Sequence, residues 1–270
     1  MGEGKDVNKT LRISFMIFCC LSIILILGGC NSPALSLEPT STATTPPKVH
    51  RDTVVSLTFD DGNADNFSIE PLLKANGLHA TFYITSGRVG TAGFMTWEQL
   101  QILQNDGNEI GGHTFNHIKA EGLSTASLRH QICDDRKNLL DHGFKAISFA
   151  YAFGYYDEQA KRMVKECGYS SARGARCDPA HPNDPYALGG FPYIVNDTDL
   201  GKIERYIREA RMGGGGWVIL IFHHVCASCD YFSVSPEIMN DFIPWLAQHQ
   251  GRGNLKVMTV GEVISGPSLP

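Results

Sequence analysis

The chain has 270 residues, 43% of them hydrophobic, which is enough to bury one large core or two modest ones. Its formal charge is −5 with no Lys/Arg run or stripe, which excludes a nucleic-acid surface and an electrostatic membrane-binding face.

Lys5, Lys9 and Arg12 precede an apolar run from Ile13 to Leu27. At about 15 residues it suits a signal-peptide core better than a membrane span, which needs ~20. The run ends Leu27-Gly28-Gly29-Cys30, which resembles the lipobox of prokaryotic lipoproteins. That resemblance implies cleavage before Cys30, lipidation of that cysteine and an extracytoplasmic protein anchored to the cell membrane. An uncleaved signal anchor, or an ordinary signal with an incidental cysteine, is the alternative. Residues 1–29 are therefore read as a signal peptide, 30–52 as a Ser/Thr/Pro-rich tether and 53–266 as one folded domain.

Within the domain, Val54 to Phe59 reads as a buried strand, and Asn66 to Asn76 as a helix stopped by Gly77. His79 to Ile84 is a second strand, and Thr96 caps a helix over 97–105. Asn108 to Gly112 is a third strand, and Ser124 to Asp141 reads as one long amphipathic helix ended by Gly143. Strands over 146–151 and 169–173 flank a helix over 156–167, and the stretch 177–190 is irregular. A helix over 199–212, a very apolar strand over 217–222, a helix over 236–249 and a strand over 255–260 complete the pattern. Repeated βα units without a break in composition predict a single α/β domain with a parallel sheet, closed as a barrel.

Polar features collect just past the strands, where such a barrel places its chemistry. Asp60 and Asp61 follow the first strand, and neighbours at a strand end point to different sides, so the two carboxylates can take different tasks. Read alone they are better taken as a solvated Asp-Gly turn, which is common. His113 and His117 are spaced i, i+4, which on a helical turn aims two imidazoles at one ion. With Asp61 they make three mixed ligands and leave a position for water, as catalytic metal sites do. That set suits zinc first, with cobalt, manganese and nickel as alternatives. His223 ends the apolar strand over 217–222, placed either as a general acid or as a cap on the barrel rim. The cysteines of the folded part are Cys133, Cys167, Cys177, Cys226 and Cys229, an odd set that leaves at least one thiol unpaired. The spacing of Cys226 and Cys229 fits a small closed loop or a metal site.

Together Thr58-Phe59-Asp60-Asp61-Gly62, Gly107 to Gly111 running on to His117, Phe149 to Gly154 and Trp217 to His223 resemble the motifs of the polysaccharide deacetylase family, in that order and over about 53–264. The resemblance implies a distorted (β/α) barrel that removes N-acetyl, sometimes O-acetyl, groups from a glycan. It assigns Asp60 as general base, Asp61, His113 and His117 as ligands of a divalent metal, and His223 as general acid. Water activated by Asp60 attacks the acetyl carbonyl, the metal and a backbone N–H hold the oxyanion, and His223 protonates the leaving amine. The third motif departs from Arg-x-Pro-x-Gly: Ala150 stands for the arginine and Ala152 for the proline, while Gly154 is kept and Phe153 offers the N–H. A branch with a Phe-Ala-Tyr-Pro-Phe-Gly-like third motif is the nearest pattern. Arg173, at the end of the next strand, is the candidate to replace the missing partner of Asp60. Asp178 and Asp184 are the candidates for the family's fourth, tuning motif. The expected partners are an N-acetylated glycan and, through Cys30, a membrane; a monomer is expected. A same-fold hydrolase of another C–N amide, or a catalytically impaired glycan-binding lipoprotein, remains the rival reading.

Overall fold

The computed structural model describes residues 52–175, 184–190, 193–252 and 254–266. The N-terminal apolar run, Cys30, the stretch up to Arg51, Cys177 and Asp178 lie outside the described residues. Among the described residues no helix is long and apolar enough to cross a membrane.

Strand β1 (Thr53–Phe59) is buried at every position. Apolar and β-branched side chains on both faces suit a strand covered from two sides. Helix α1 (Glu70–Ala75) follows a 3-10 turn and leads to β2 (Thr81–Ile84). Helix α2 (Trp97–Asn105) opens on a capping box, with Thr96 Oγ1 accepting from the Gln99 N–H and the Gln99 side chain accepting from the Thr96 N–H. Strand β3 (Glu109–Gly112) comes next. The helix expected over 124–141 is not one regular rod: α3 (Thr125–Arg129) and α4 (Asp135–Asp141) are joined by a π turn over His130–Asp134. The apolar pattern runs through that turn without interruption, so the sequence carries no mark of it. There follow β4 (Ser148–Ala150), α5 (Glu158–Glu166), β5 (Ser171–Arg173), α6 (Leu200–Met212) and β6 (Gly216–Phe222). The short β7 (His224–Val225) and β8 (Ser233–Val234) precede α7 (Pro236–His249). The last strand, expected over 255–260, is shorter: β9 (Leu255–Val257) gives way to α8 (Val260–Ser265), whose capping box is Thr259 with Glu262.

The main sheet runs β5-β4-β3-β2-β1-β6, with every pairing parallel. β6 borders β1 along its whole length. The other side of β1 is shared, since β9 pairs Thr53 to Val55 while β2 pairs only Thr58 and Phe59. Closure is also irregular. Leu188 runs parallel against Arg173, with its N–H donating to Ala172 O at 3.0 Å, and Tyr193 runs parallel against Ile221. A non-strand segment thus stands between the outer strands, so the barrel is distorted and its last seam is made by a loop.

Phe59 stacks between its register partners Phe82 and Phe222 at 5.0 and 5.1 Å, an apolar lock directly beneath the sheet's carboxyl end. Side chains alternate along a strand, so Thr58 and Asp60 share the opposite face. Disulfides join Cys133 to Cys167 and Cys226 to Cys229, so the second pair closes a small loop.

Candidate active site

The turn after β1 separates the two carboxylates. Asp60 N–H donates to Phe222 O at 2.8 Å, which extends the β1–β6 ladder by one residue, and the residue is 3% exposed. Asp61 and Gly62 then adopt φ of 69° and 85°, a left-handed pair that Asp tolerates and Gly favours. The chain swings over Ile84, and Asp61 faces the loop after β3.

His113 and His117 reach Asp61, but not from a helical turn. Residues 113–117 form a loop in which Thr114 and His117 have φ of 66° and 57°. A β-branched residue in that region is strained and must be held by its surroundings. The π turn supplies the hold: Phe115 N–H donates to Gln131 O at 2.9 Å, and Asn116 N–H donates to Gln131 Oε1 at 3.0 Å. From the other side Gly87 N–H donates to Phe115 O at 3.0 Å, and a Cβ on Gly87 would lie 2.4 Å from that oxygen. The i, i+4 spacing is therefore incidental to a helix, although it does bring both imidazoles to one point.

His113 Nδ1 lies 2.7 Å from Ala150 O. A carbonyl only accepts, so Nδ1 carries the proton and Nε2 is directed to the site. His113 Nε2 and His117 Nε2 lie 3.2 and 3.0 Å from Asp61 Oδ1, and the ligand atoms of all three residues lie within 4.8 Å of one another. Asp61 Oδ1 is buried and accepts no hydrogen bond. An unsatisfied carboxylate oxygen facing two imidazole nitrogens fits a divalent cation, and Ala150 O orients one ligand as metal-binding histidines require.

Asp60 faces a different set. Its Oδ1 accepts from Arg173 Nη2, and Arg173, 1% exposed, also donates to Thr58 Oγ1 at 3.4 Å and lies over the Tyr83 ring at 4.7 Å. Arg173 is the register partner of Ala150 across β4 and β5. Its side chain thus projects from the same level and face of the sheet as the replaced arginine position, one strand over. Asp60 Oδ2 sits 4.0 Å from His113 Nε2 and 3.9 Å from His223 Nε2.

The His223 carbonyl accepts from Asn66 Nδ2 at 2.5 Å and Asn63 Nδ2 at 3.3 Å, which holds the end of β6 against the loop after β1. Burial lowers the His223 pKa, and the nearby carboxylates only partly offset it. His223 Nδ1 is buried without a hydrogen-bond partner. Asp184, a fourth-motif candidate, does not supply one: its carboxylate is taken up by Lys161 at 2.9 Å and the Tyr186 N–H at 2.9 Å. Phe153 has φ of 59°, is 52% exposed, and sets its ring 4.5 Å from that of His117. His224, next to His223, turns away to Asp65 Oδ2 at 2.7 Å. Asp65, His224 and Cys229 also converge, but the Cys229 sulfur is bonded to Cys226, so His224 and Asp65 serve as a latch between two loops.

Motif reading passes over several residues that complete the site. Gln131, Tyr83, Thr58 and the Ala150 carbonyl act through backbone geometry or burial, and Asn66 lies in an ordinary-looking helix start. Asp135 is another. Fully buried beside the π turn, it accepts from the Ser86 N–H at 3.2 Å and the Tyr169 hydroxyl at 3.1 Å. Burial pushes its carboxyl from an ordinary 3.8 up to about 7 against those hydrogen bonds. The folded protein therefore keeps a proton that the unfolded chain gives up, and stability present below pH 4 is lost as pH rises toward 7. Asp135→Asn should remove that slope. In urea unfolding, the variant should gain on the parent by a few kcal/mol between pH 4 and pH 8; a constant difference would count against the raised carboxyl.

A family model described as polysaccharide deacetylase matches residues 48–172. The Bacillus subtilis protein YxkH is 30% identical over 118 residues, covering 43% of this chain and 42% of that protein, so the chain spans less than half its length. The peptidoglycan-N-acetylglucosamine deacetylase of Bacillus cereus is 28% identical over 170 residues, covering 62% of this chain and 78% of that protein. Among solved structures, a family 4 acetyl xylan esterase from Clostridium thermocellum, in complex with a cobalt ion, has a TM-score of 0.55 at 20% identity, covering 78% of this chain and 89% of that one. That likeness carries the fold: a distorted barrel of parallel strands with surrounding helices.

Proposed function

We propose that this chain, which belongs to the polysaccharide deacetylase family, hydrolyses N-acetyl groups, and on some substrates O-acetyl groups, of a polysaccharide or cell-envelope glycan. One observation carries the proposal: Asp60, held by Arg173, presents its free oxygen between His113 and His223 and beside the convergent Asp61, His113 and His117. Two carboxylates one residue apart are thereby given separate surroundings. The peptidoglycan deacetylase among the relatives points to an N-acetylated glycan.

Asp61, His113 and His117 would hold a divalent ion, zinc first by donor type, with cobalt, manganese or nickel able to replace it. Such an ion supplies Lewis acidity toward the acyl carbonyl and lowers the pKa of a water. The remaining work belongs to the chain. Asp60 takes the proton of the attacking water, and Arg173, itself held by Thr58 Oγ1, keeps the other Asp60 oxygen occupied so that Oδ2 faces the substrate. The Phe153 N–H, on a turn with left-handed geometry beside His117, donates to the oxyanion. His223 delivers a proton to the departing amine; its burial means that substrate and Asp60 must favour the charged form during turnover.

Cleavage before Cys30 and lipidation there would place the domain outside the cytoplasm on a tether. The two disulfides support an oxidising compartment.

The test is acetate release from chitin oligomers, peptidoglycan fragments and poly-N-acetylglucosamine, with metal content measured on the same samples. Zinc-loaded protein should release acetate, lose that activity on chelation and regain it when zinc returns. Folded, metal-loaded protein that binds a glycan but frees no acetate would favour the glycan-binding reading.

A further inference from the structure

The His223 side of the site carries aromatic surface that the proposed chemistry does not use. Tyr231 is 60% exposed and Phe232 38% exposed, in the loop between β7 and β8. The loop is firmly tied. The Cys226–Cys229 disulfide closes its first half, Asn196 N–H donates to Tyr231 O at 2.9 Å, His224 N–H donates to Phe232 O at 3.0 Å, and Phe232 N–H donates to Asp230 Oδ1 at 2.8 Å. Phe232 sits 5.1 Å from the His223 ring, Tyr193 stacks on His223 at 5.8 Å, and Tyr231 meets Phe232 edge-on at 4.9 Å. Adjacent exposed rings held beside His223 make a contiguous apolar surface of the kind that marks a ligand-binding groove.

We propose that Tyr231 and Phe232 form the stacking wall for the pyranose rings of an N-acetylhexosamine chain. The inference rests on the deacetylase reading for its direction. If His223 protonates the leaving nitrogen, the sugar bearing that nitrogen must lie on the His223 side, while the acetyl group lies toward Asp61, His113 and His117. Pyranose rings present apolar C–H faces, which aromatic rings cover, while specific polar groups set orientation. The opposite rim also carries exposed rings, Phe153 at 4.5 Å from the His117 ring and Tyr155 under the Lys119 ammonium at 4.1 Å, so the choice of wall rests on the side that the proposed proton transfer gives the sugar.

The experiment compares wild type, Tyr231→Ala and Tyr231→Phe on a β-1,4-linked N-acetylglucosamine pentamer. Tyr231→Ala should raise KM about tenfold, the loss expected for truncating one aromatic anchor, with kcat changed less than twofold, and Tyr231→Phe should restore KM. An unchanged KM, or a loss confined to kcat, overturns the wall. Calorimetric binding of the same pentamer to the same three proteins separates this inference from the deacetylase reading. If wild type frees no acetate but its affinity for the pentamer falls tenfold in Tyr231→Ala and recovers in Tyr231→Phe, the wall stands and the activity fails. Equal binding by all three, or binding by none, overturns the wall.

Discussion

Asp60→Asn should slow acetate release by about 10²- to 10⁴-fold while leaving metal content at the wild-type level. Asparagine keeps the shape of the side chain and an oxygen for Arg173, but it cannot accept a proton from water at neutral pH. Asp60 stands outside the convergent ligand set, with its Oδ2 4.0 Å from His113 Nε2, whereas Asp61 Oδ1 is 3.2 Å from that nitrogen. The check is acetate release and metal stoichiometry on the same preparation. Full activity in the variant would move the base elsewhere. Loss of the ion would mean that Asp60, not Asp61 alone, holds it.

The parts of the fold written in local chemistry were legible in the sequence. The helix expected over 97–105 begins where Thr96 predicts, because a cap hydroxyl and the following helical pattern are enough to set a helix start, and those expected over 199–212 and 236–249 begin within a residue of their expected starts, on caps Asp199 and Ser235. β1 is visible because no other role suits an apolar β-branched run ending in two acids. What was not legible depends on contacts between distant segments. The π turn over 130–134 exists together with the loop that donates to Gln131, and neither partner marks the other in sequence. His113 and His117 have helical spacing on a non-helical loop, since i, i+4 says how far apart two residues are in sequence and nothing of the φ values between them. The loop seam between β5 and β6 escapes for a similar reason, because Leu188 and Tyr193 pair as isolated bridges without strand-like patterning. The position of Arg173 was reachable by a different route. Small Ala150 leaves room at one level of the sheet, and the residue beside it in register is an arginine.

Arg173→Met should lower folding stability by about 3–5 kcal/mol, a fall in Tm on the order of 10 °C for a domain of this size. Methionine fills much of the volume over Tyr83 but leaves the Asp60 carboxylate buried without its cation. The loss should come from that stranded charge rather than from missing attraction, and a double-mutant cycle separates the two. Asp60→Leu/Arg173→Met removes both charges, so its urea midpoint should recover to the wild-type value or above, since a buried pair replaced by apolar side chains is often neutral or stabilising. An additive cycle, with the double variant less stable than either single one, would sink the idea that the pair is coupled. Recovery of stability without recovery of acetate release would show what the pair is for. On the proposed mechanism the buried ion pair serves chemistry rather than the fold, because that mechanism needs a carboxylate whose one oxygen is occupied and whose other faces the substrate.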